Sequence, residues 1–187
     1  MASLASDRAK FFVALLPPAD LQSQVTAIKE DISQRFHSQA ALKSPPHITL
    51  LPPFDWPLDA LDRLQGFLQT FAQAQTPIPI RLSGFKAFPP RVIYIDVVPE
   101  ASLIACQSLL QQSFRTTFSM TDPRARRLSF TPHMTVGFRD LKPAAFHRAW
   151  ADYKDRPFNA HFIAHELTLL RHNGQRWSIA ATFALGV

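Results

Sequence analysis

Only five glycines occur in this chain of 187 residues, and they form no Gly-rich turn of the kind whose backbone N–H groups cradle a nucleotide phosphate, which argues against P-loop and dinucleotide-fold chemistry. There is one cysteine. That excludes a disulfide framework within the chain, and Cys106, beside Ile104 and Leu109 in a helical-looking stretch, suits a small buried side chain better than a nucleophile. Long apolar runs are also missing: the longest early one, Phe11 to Leu16, is too short for a membrane span or a signal-peptide core and ends at Pro17-Pro18. We expect a cytoplasmic protein with no membrane partner. No aromatic-basic signature of an RNA-recognition fold is present either.

What the chain does have is 47% hydrophobic residues, enough for one domain or two small lobes sharing a core. A formal charge of +6 favours anionic partners. It also has a phrase that occurs twice: Pro46-His47-Ile48-Thr49-Leu50 and Pro132-His133-Met134-Thr135-Val136. With 16 Pro, 7 His and 11 Thr, Pro-His-x-Thr should arise by chance about 0.04 times, so two copies point to an internal repeat.

The surroundings of the phrases repeat as well. Residues 1–9 show no periodicity and read as a loose terminus. A buried strand over Phe11 to Leu16 leads to a helix with Leu21, Val25, Ile28, Ile32 and Phe36 on one face, then the first His-Thr strand near His47 to Leu51. Pro52, Pro53 and Pro57 are expected to break the chain before a second helix (Leu58, Leu61, Leu64, Leu68, Phe71) and a strand at Ile78 to Leu82. From Pro89-Pro90 the order starts again: strand Val92 to Val98, helix Ala101 to Phe118, second His-Thr strand Phe130 to Phe138, helix Ala144 to Tyr153, strand Phe162 to Leu170. A turn at His172-Asn173-Gly174-Gln175 returns a last strand as a hairpin, about residues 176–185. We expect a single bilobal domain over 10–187, with pseudo-repeats of about 10–86 and 90–171 related by a pseudo-twofold axis. The two histidines, 86 positions apart, should then flank a common groove.

Alternation along a strand puts His47, Thr49 and Leu51 on one face and Ile48 and Leu50 on the other; in the second copy His133, Thr135 and Gly137 oppose Met134, Val136 and Phe138. Gly137 would let a ligand approach the backbone closely. Two imidazoles flanking a phosphorus can act as base and acid in one in-line displacement near neutral pH, while Thr hydroxyls donate to the non-bridging oxygens. The scheme needs no metal and no cofactor. Metal binding is the chemical rival, but two histidines without a nearby carboxylate or cysteine make a poor ligand set, and His161 and His165 stand in a strand pattern rather than at helical spacing. Arg124, Arg126 and Arg127 precede the second His-Thr strand as candidate RNA contacts, and Arg139 follows it as a candidate phosphate ligand through its planar fork. Lys86 and Arg91, about the Phe88-Pro89-Pro90 turn, are weaker candidates.

With Ser44-Pro45-Pro46-His47-Ile48-Thr49-Leu50 and Thr131-Pro132-His133-Met134-Thr135-Val136-Gly137-Phe138-Arg139 in view, the chain resembles the two-histidine phosphoesterase superfamily, in particular bacterial 2′-5′ RNA ligases, also called RNA 2′,3′-cyclic phosphodiesterases. The resemblance spans Phe11 to Leu185. It implies an α+β fold of two antiparallel sheets with outer helices around a central groove, with His47 and His133 as the acid-base pair and Thr49 and Thr135 as phosphate-oxygen donors. The implied reaction opens 2′,3′-cyclic phosphate ends of RNA or nucleotides to 2′-phosphates, with 2′-5′ ligation as its reverse. Many relatives carry a basic residue three positions after the second Thr; here that position is Phe138, and Arg139 comes one later. We expect a monomer whose partner is such an RNA or nucleotide. A protein that binds RNA ends or phosphonucleotides without turnover, and a hydrolase of a small cyclic phosphate such as ADP-ribose 1″,2″-cyclic phosphate, are the alternatives.

Overall fold

The computed structural model describes residues 7–119 and 129–186. Within these residues eight strands and four longer helices are formed, in the order β1 (Arg8–Leu15), α1 (Ala19–Phe36), β2 (Ile48–Pro57), α2 (Leu61–Gln73), β3 (Ile78–Phe88), β4 (Val92–Val97), α3 (Ala101–Phe118), β5 (His133–Gly137), α4 (Pro143–Tyr153), β6 (Asn159–Ala164), β7 (Glu166–His172) and β8 (Trp177–Ala184). The strands make two four-stranded antiparallel sheets, one ordered β2-β1-β7-β8 and the other β5-β4-β3-β6. This is the expected α+β architecture. Among the described residues no helix is long and apolar enough to cross a membrane.

Each sheet buries one face against helices, as strand alternation requires. Phe11, Val13 and Leu15 of β1 and Ile93, Ile95 and Val97 of β4 enter one continuous core with the periodic stripe of α1 (Leu21, Val25, Ile28, Ile32, Phe36). One helix, α3, packs on strands of both sheets. α1 packs on β5 and α4, whereas α3 packs on β2 and β3. Just past the end of α1, Ser38 donates from Oγ to Asp140 Oδ1 (2.7 Å), and Asp140 Oδ2 accepts from the Gln39 and Ala40 N–H groups (2.7 and 2.9 Å). These bonds tie the approach to β2 to the turn after β5.

Three expectations are corrected. Pro52 and Pro53 do not end the first His-Thr strand: β2 runs through them to Pro57, with an extra residue against β1 between Leu51 and Phe54. An edge strand with a bulge tolerates the missing N–H groups. The strand expected at Phe162 to Leu170 is two strands, since β6 pairs with β3 in one sheet and β7 with β1 in the other, His165 being the link. As a result β3 to β6 form one sheet from contiguous chain, and β7 and β8 complete the sheet begun by β1 and β2. Gly137 faces the core instead of the groove: a Cβ there would lie 3.3 Å from Leu141 Cδ2 and 3.6 Å from Ile32 Cγ2. The cause is local. Ile93 and Tyr94 are consecutive but pair with Gly137 and Thr135, so Val136 is the extra residue of a bulge that turns the alternation over.

Candidate functional site

β2 and β5 are the outer strands of their sheets and lie against each other. His47 immediately precedes β2 and His133 opens β5. Their neighbours Ile48, Leu50, Met134 and Val136 are all but inaccessible, so the apolar alternates fix the strand faces and leave His47, Thr49, His133 and Thr135 half-buried on the open side. The spacing read from the sequence therefore holds through each Thr. It fails past the Thr in both copies: Leu50 is an extra residue against the consecutive pair Val13 and Ala14, as Val136 is against Ile93 and Tyr94. Leu51, expected beside Thr49, therefore joins the core with Ile48 and Leu50.

Both imidazoles are held by the same device. His47 Nδ1 lies 2.7 Å from the Pro45 carbonyl oxygen, and His133 Nδ1 lies 2.8 Å from that of Thr131. A carbonyl only accepts, so each Nδ1 carries the hydrogen and each Nε2 is left with its lone pair. Two rings fixed in one tautomer by backbone two residues upstream are prepared for proton transfer at a single atom.

The walls differ. The His47 ring packs on Phe12 (centroids 4.8 Å apart), and Phe12 meets Trp177 edge-on at 4.6 Å; Thr49 sits opposite Ala14. Burial, the largest cause, pushes the His47 pKa down to about 4. The bond to Pro45 works against that shift, while the charges of Lys29 and His133 add to it. On the other side, Thr135 pairs with Tyr94 and His133 with Asp96. Phe88 and Tyr94 each stand 5.3 Å from the His133 ring, and Asp96 bridges Lys86 at 2.8 Å, which holds the Lys86 ammonium charged.

Arg139 stands in the exposed turn after β5 with its guanidinium 4.5 Å from the centroid of the Phe138 ring. Arg124, Arg126 and Arg127 lie outside the described residues. His161 and His165 are exposed, as are His37, which follows α1, and His147 on the outer surface of α4. Cys106 is buried, and burial pushes its thiol up to about 11, out of the nucleophilic range. Sequence reasoning missed Phe12, Tyr94 and Asp96, which only sheet pairing brings beside the histidines. It also missed Lys29, 2% exposed, although a signal existed: Lys29 follows Val25 by four and precedes Ile32 by three, inside the apolar stripe.

A family model described as the 2′-5′ RNA ligase superfamily matches residues 17–176. Among curated sequences, a protein of Geobacillus kaustophilus named "Putative phosphoesterase GK0864" is 28% identical over 181 residues, covering 95% of this chain and 96% of that one. One of Bacillus mycoides carrying the same description is 26% identical over 185 residues, 95% and 97% of the two chains. Among solved structures, Escherichia coli LigT complexed with 3′-AMP superposes with a TM-score of 0.71 at 18% identity, covering 96% of this chain and 99% of LigT. TT0787 of Thermus thermophilus gives a TM-score of 0.67 at 18% identity, with 94% and 97% covered. At such identities these two show a shared fold.

Proposed function

The chain belongs to the 2′-5′ RNA ligase superfamily of two-histidine phosphoesterases, and on that premise we propose that it opens 2′,3′-cyclic phosphate ends of RNA or nucleotides to 2′-phosphates. The observation that carries this reading is the pair of His-x-Thr groups on facing edge strands, each imidazole locked with Nε2 free. The 3′-AMP complex of LigT supports a nucleotide as ligand.

In this scheme the cyclic phosphate sits between β2 and β5 with its non-bridging oxygens on the Thr49 and Thr135 hydroxyls, which steady the charge that grows in the transition state. Water attacks phosphorus and the bond to the 3′-oxygen breaks. His47, kept neutral at rest by its apolar wall, takes the proton of the water at Nε2. His133, protonated in the substrate complex, gives one to the departing 3′-oxygen. The phosphate's negative charge supports that proton on His133. After turnover the two protonation states are exchanged, and solvent restores them. With the 5′-hydroxyl of a second RNA end in place of water, the same proton movements leave a 2′-5′ bond, which is the ligation direction. Arg139 enters as a further phosphate contact from the turn behind Thr135, and Arg124, Arg126 and Arg127 as contacts to a longer RNA.

The test is turnover of a dinucleotide ending in a 2′,3′-cyclic phosphate, with the product phosphate located. We expect a 2′-phosphate from the wild type, and a loss of about 10² to 10⁴-fold in His133→Ala. A His133→Ala protein as fast as wild type removes the mechanism. No turnover by the wild type, with tight binding of the same dinucleotide, leaves a binding protein instead.

A further inference from the structure

A cavity of about 280 Å³ lies between α1, the segment 42–45 and the hairpin that starts β8, with Pro45, two residues before His47, in its wall. Three cationic side chains line it, Lys29, Lys43 and Arg176, together with Ser44, Pro45 and the Trp177 ring, and no carboxylate does. None of the three cations has an ion-pair partner among the described residues. Lys43 and Arg176 are exposed at its mouth. Lys29 is not: it is 2% exposed, and its ammonium donates to the Ser44 carbonyl oxygen at 3.0 Å. An ammonium has three hydrogens to donate, and the described protein bonds satisfy one.

A buried, unpaired ammonium is costly, and burial pushes the Lys29 pKa down to about 8. Near neutral pH it still carries its charge most of the time. An anion in the cavity would take the two spare N–H donors and lift that penalty, with Lys43 and Arg176 closing on it from the mouth. Two of the residues that line the cavity also lead to the candidate site. Pro45 lines it and holds His47 through its carbonyl, and Trp177 lines it and packs on Phe12, which packs on His47.

We propose that this cavity is a second anion site, which takes the phosphate on the 5′-oxygen of the nucleoside whose 2′,3′-cyclic phosphate lies between the histidines. The assignment rests on the function proposed above for the ligand to which that phosphate belongs. A 5′-phosphate monoester on a mononucleotide and the next phosphodiester of an RNA present the same chemistry at that oxygen, and both are accepted. Trp177 forms the wall toward the catalytic groove, so the cavity reads the far end of the terminal nucleotide while His47 and His133 act on the near end.

The experiment compares KM for three probes: adenosine 2′,3′-cyclic phosphate with a 5′-hydroxyl, the same compound with a 5′-phosphate, and a dinucleotide ending in the cyclic phosphate. Wild type should favour both 5′-phosphorylated probes over the 5′-hydroxyl probe by about tenfold or more, as charge-assisted bonds to phosphate require. The double variant Lys43→Ala/Arg176→Ala, whose changes are on the surface, should shrink that ratio to within about twofold. A gain for the dinucleotide alone locates the recognition beyond the 5′-phosphate and overturns the proposal, as does a ratio unchanged in the double variant. A second readout does not depend on turnover: inorganic phosphate titrated against the protein, with the Lys29 side chain followed by NMR, should raise the Lys29 pKa. If no probe is turned over, the proposed function fails, and the phosphate titration still decides the cavity: a Lys29 signal that does not move overturns the anion site. A Lys29 response to inorganic phosphate, with no preference among probes that are turned over, makes it a free-anion site and overturns its role as a substrate site.

Discussion

The two sides of the groove carry the same His-Thr chemistry on different walls. On the β2 side, His47 rests on Phe12 and Thr49 faces Ala14, with the charge of Lys29 acting on the His47 ring. On the β5 side, His133 and Thr135 pair with Asp96 and Tyr94, and Asp96 holds Lys86. The shared part is what strand alternation and a backbone carbonyl two residues upstream can enforce anywhere. The unshared part comes from the neighbouring strand, so a repeated motif supplies two equal imidazoles and the sheets make them unequal. Burial against an apolar wall, with Lys29 adding its charge, disfavours imidazolium at His47.

That comparison can be broken at several levels. The largest expected effect is on the histidines: His47→Ala and His133→Ala should each cost about 10² to 10⁴-fold in kcat/KM, and the double variant little more than the worse single, because the two act as a unit. Steady-state rates on a 2′,3′-cyclic dinucleotide check this, and fully additive losses would separate the two sides into independent sites. Next come the hydroxyls. Thr49→Val and Thr135→Val each remove one donor to the phosphate and should lower kcat by about 10², while circular dichroism reports an unchanged fold.

The pH profile sharpens the inequality itself. A base with a pKa near 4 stays available far into acid, so the acid limb of kcat/KM should lie well below the ordinary histidine range. In Phe12→Ala, which opens the apolar wall to water, that limb should move up toward the free imidazole value of about 6.5. An acid limb near 6.5 in the wild type would assign the base elsewhere. Stability should follow the same group. The folded pKa of His47 is depressed, so the unfolded chain takes up the extra proton first, and stability is full above about pH 6.5 and declines as pH falls toward 4. Chemical denaturation at about pH 7 and about pH 5 should show a smaller decline in His47→Gln than in wild type. The smallest expected effect is none: activity after treatment with EDTA should equal that before, since every role in the proposed reaction belongs to a side chain.

Much of this was legible from the chain. Apolar positions every three or four residues located α1, α2, α3 and α4, because the stripe that faces the core must recur at helical spacing. The His-x-Thr phrases placed their own side chains on one face, since alternation is local. What escaped was whatever depended on which strand lies beside which. Between Phe162 and Leu170 the polar pair His165-Glu166 marks the break between β6 and β7, but nothing in it says that the two enter different sheets. The bulge at Val136 that turns Gly137 inward is imposed by register against β4, and no property of Gly137 announces it.

By itself, then, the sequence determined the recurrence of the Pro-His-x-Thr phrase, the helices, and the kind of side chain that each motif strand offers through its Thr, because periodicity is a property of consecutive residues. Only the tertiary structure decided that β2 and β5 meet, that Phe12 and Asp96 become the unlike neighbours of two like histidines, and that Lys29 is buried beside a cationic cavity. Those depend on residues far apart in the chain sharing one small volume, where burial and charge act over distance in space rather than along the backbone.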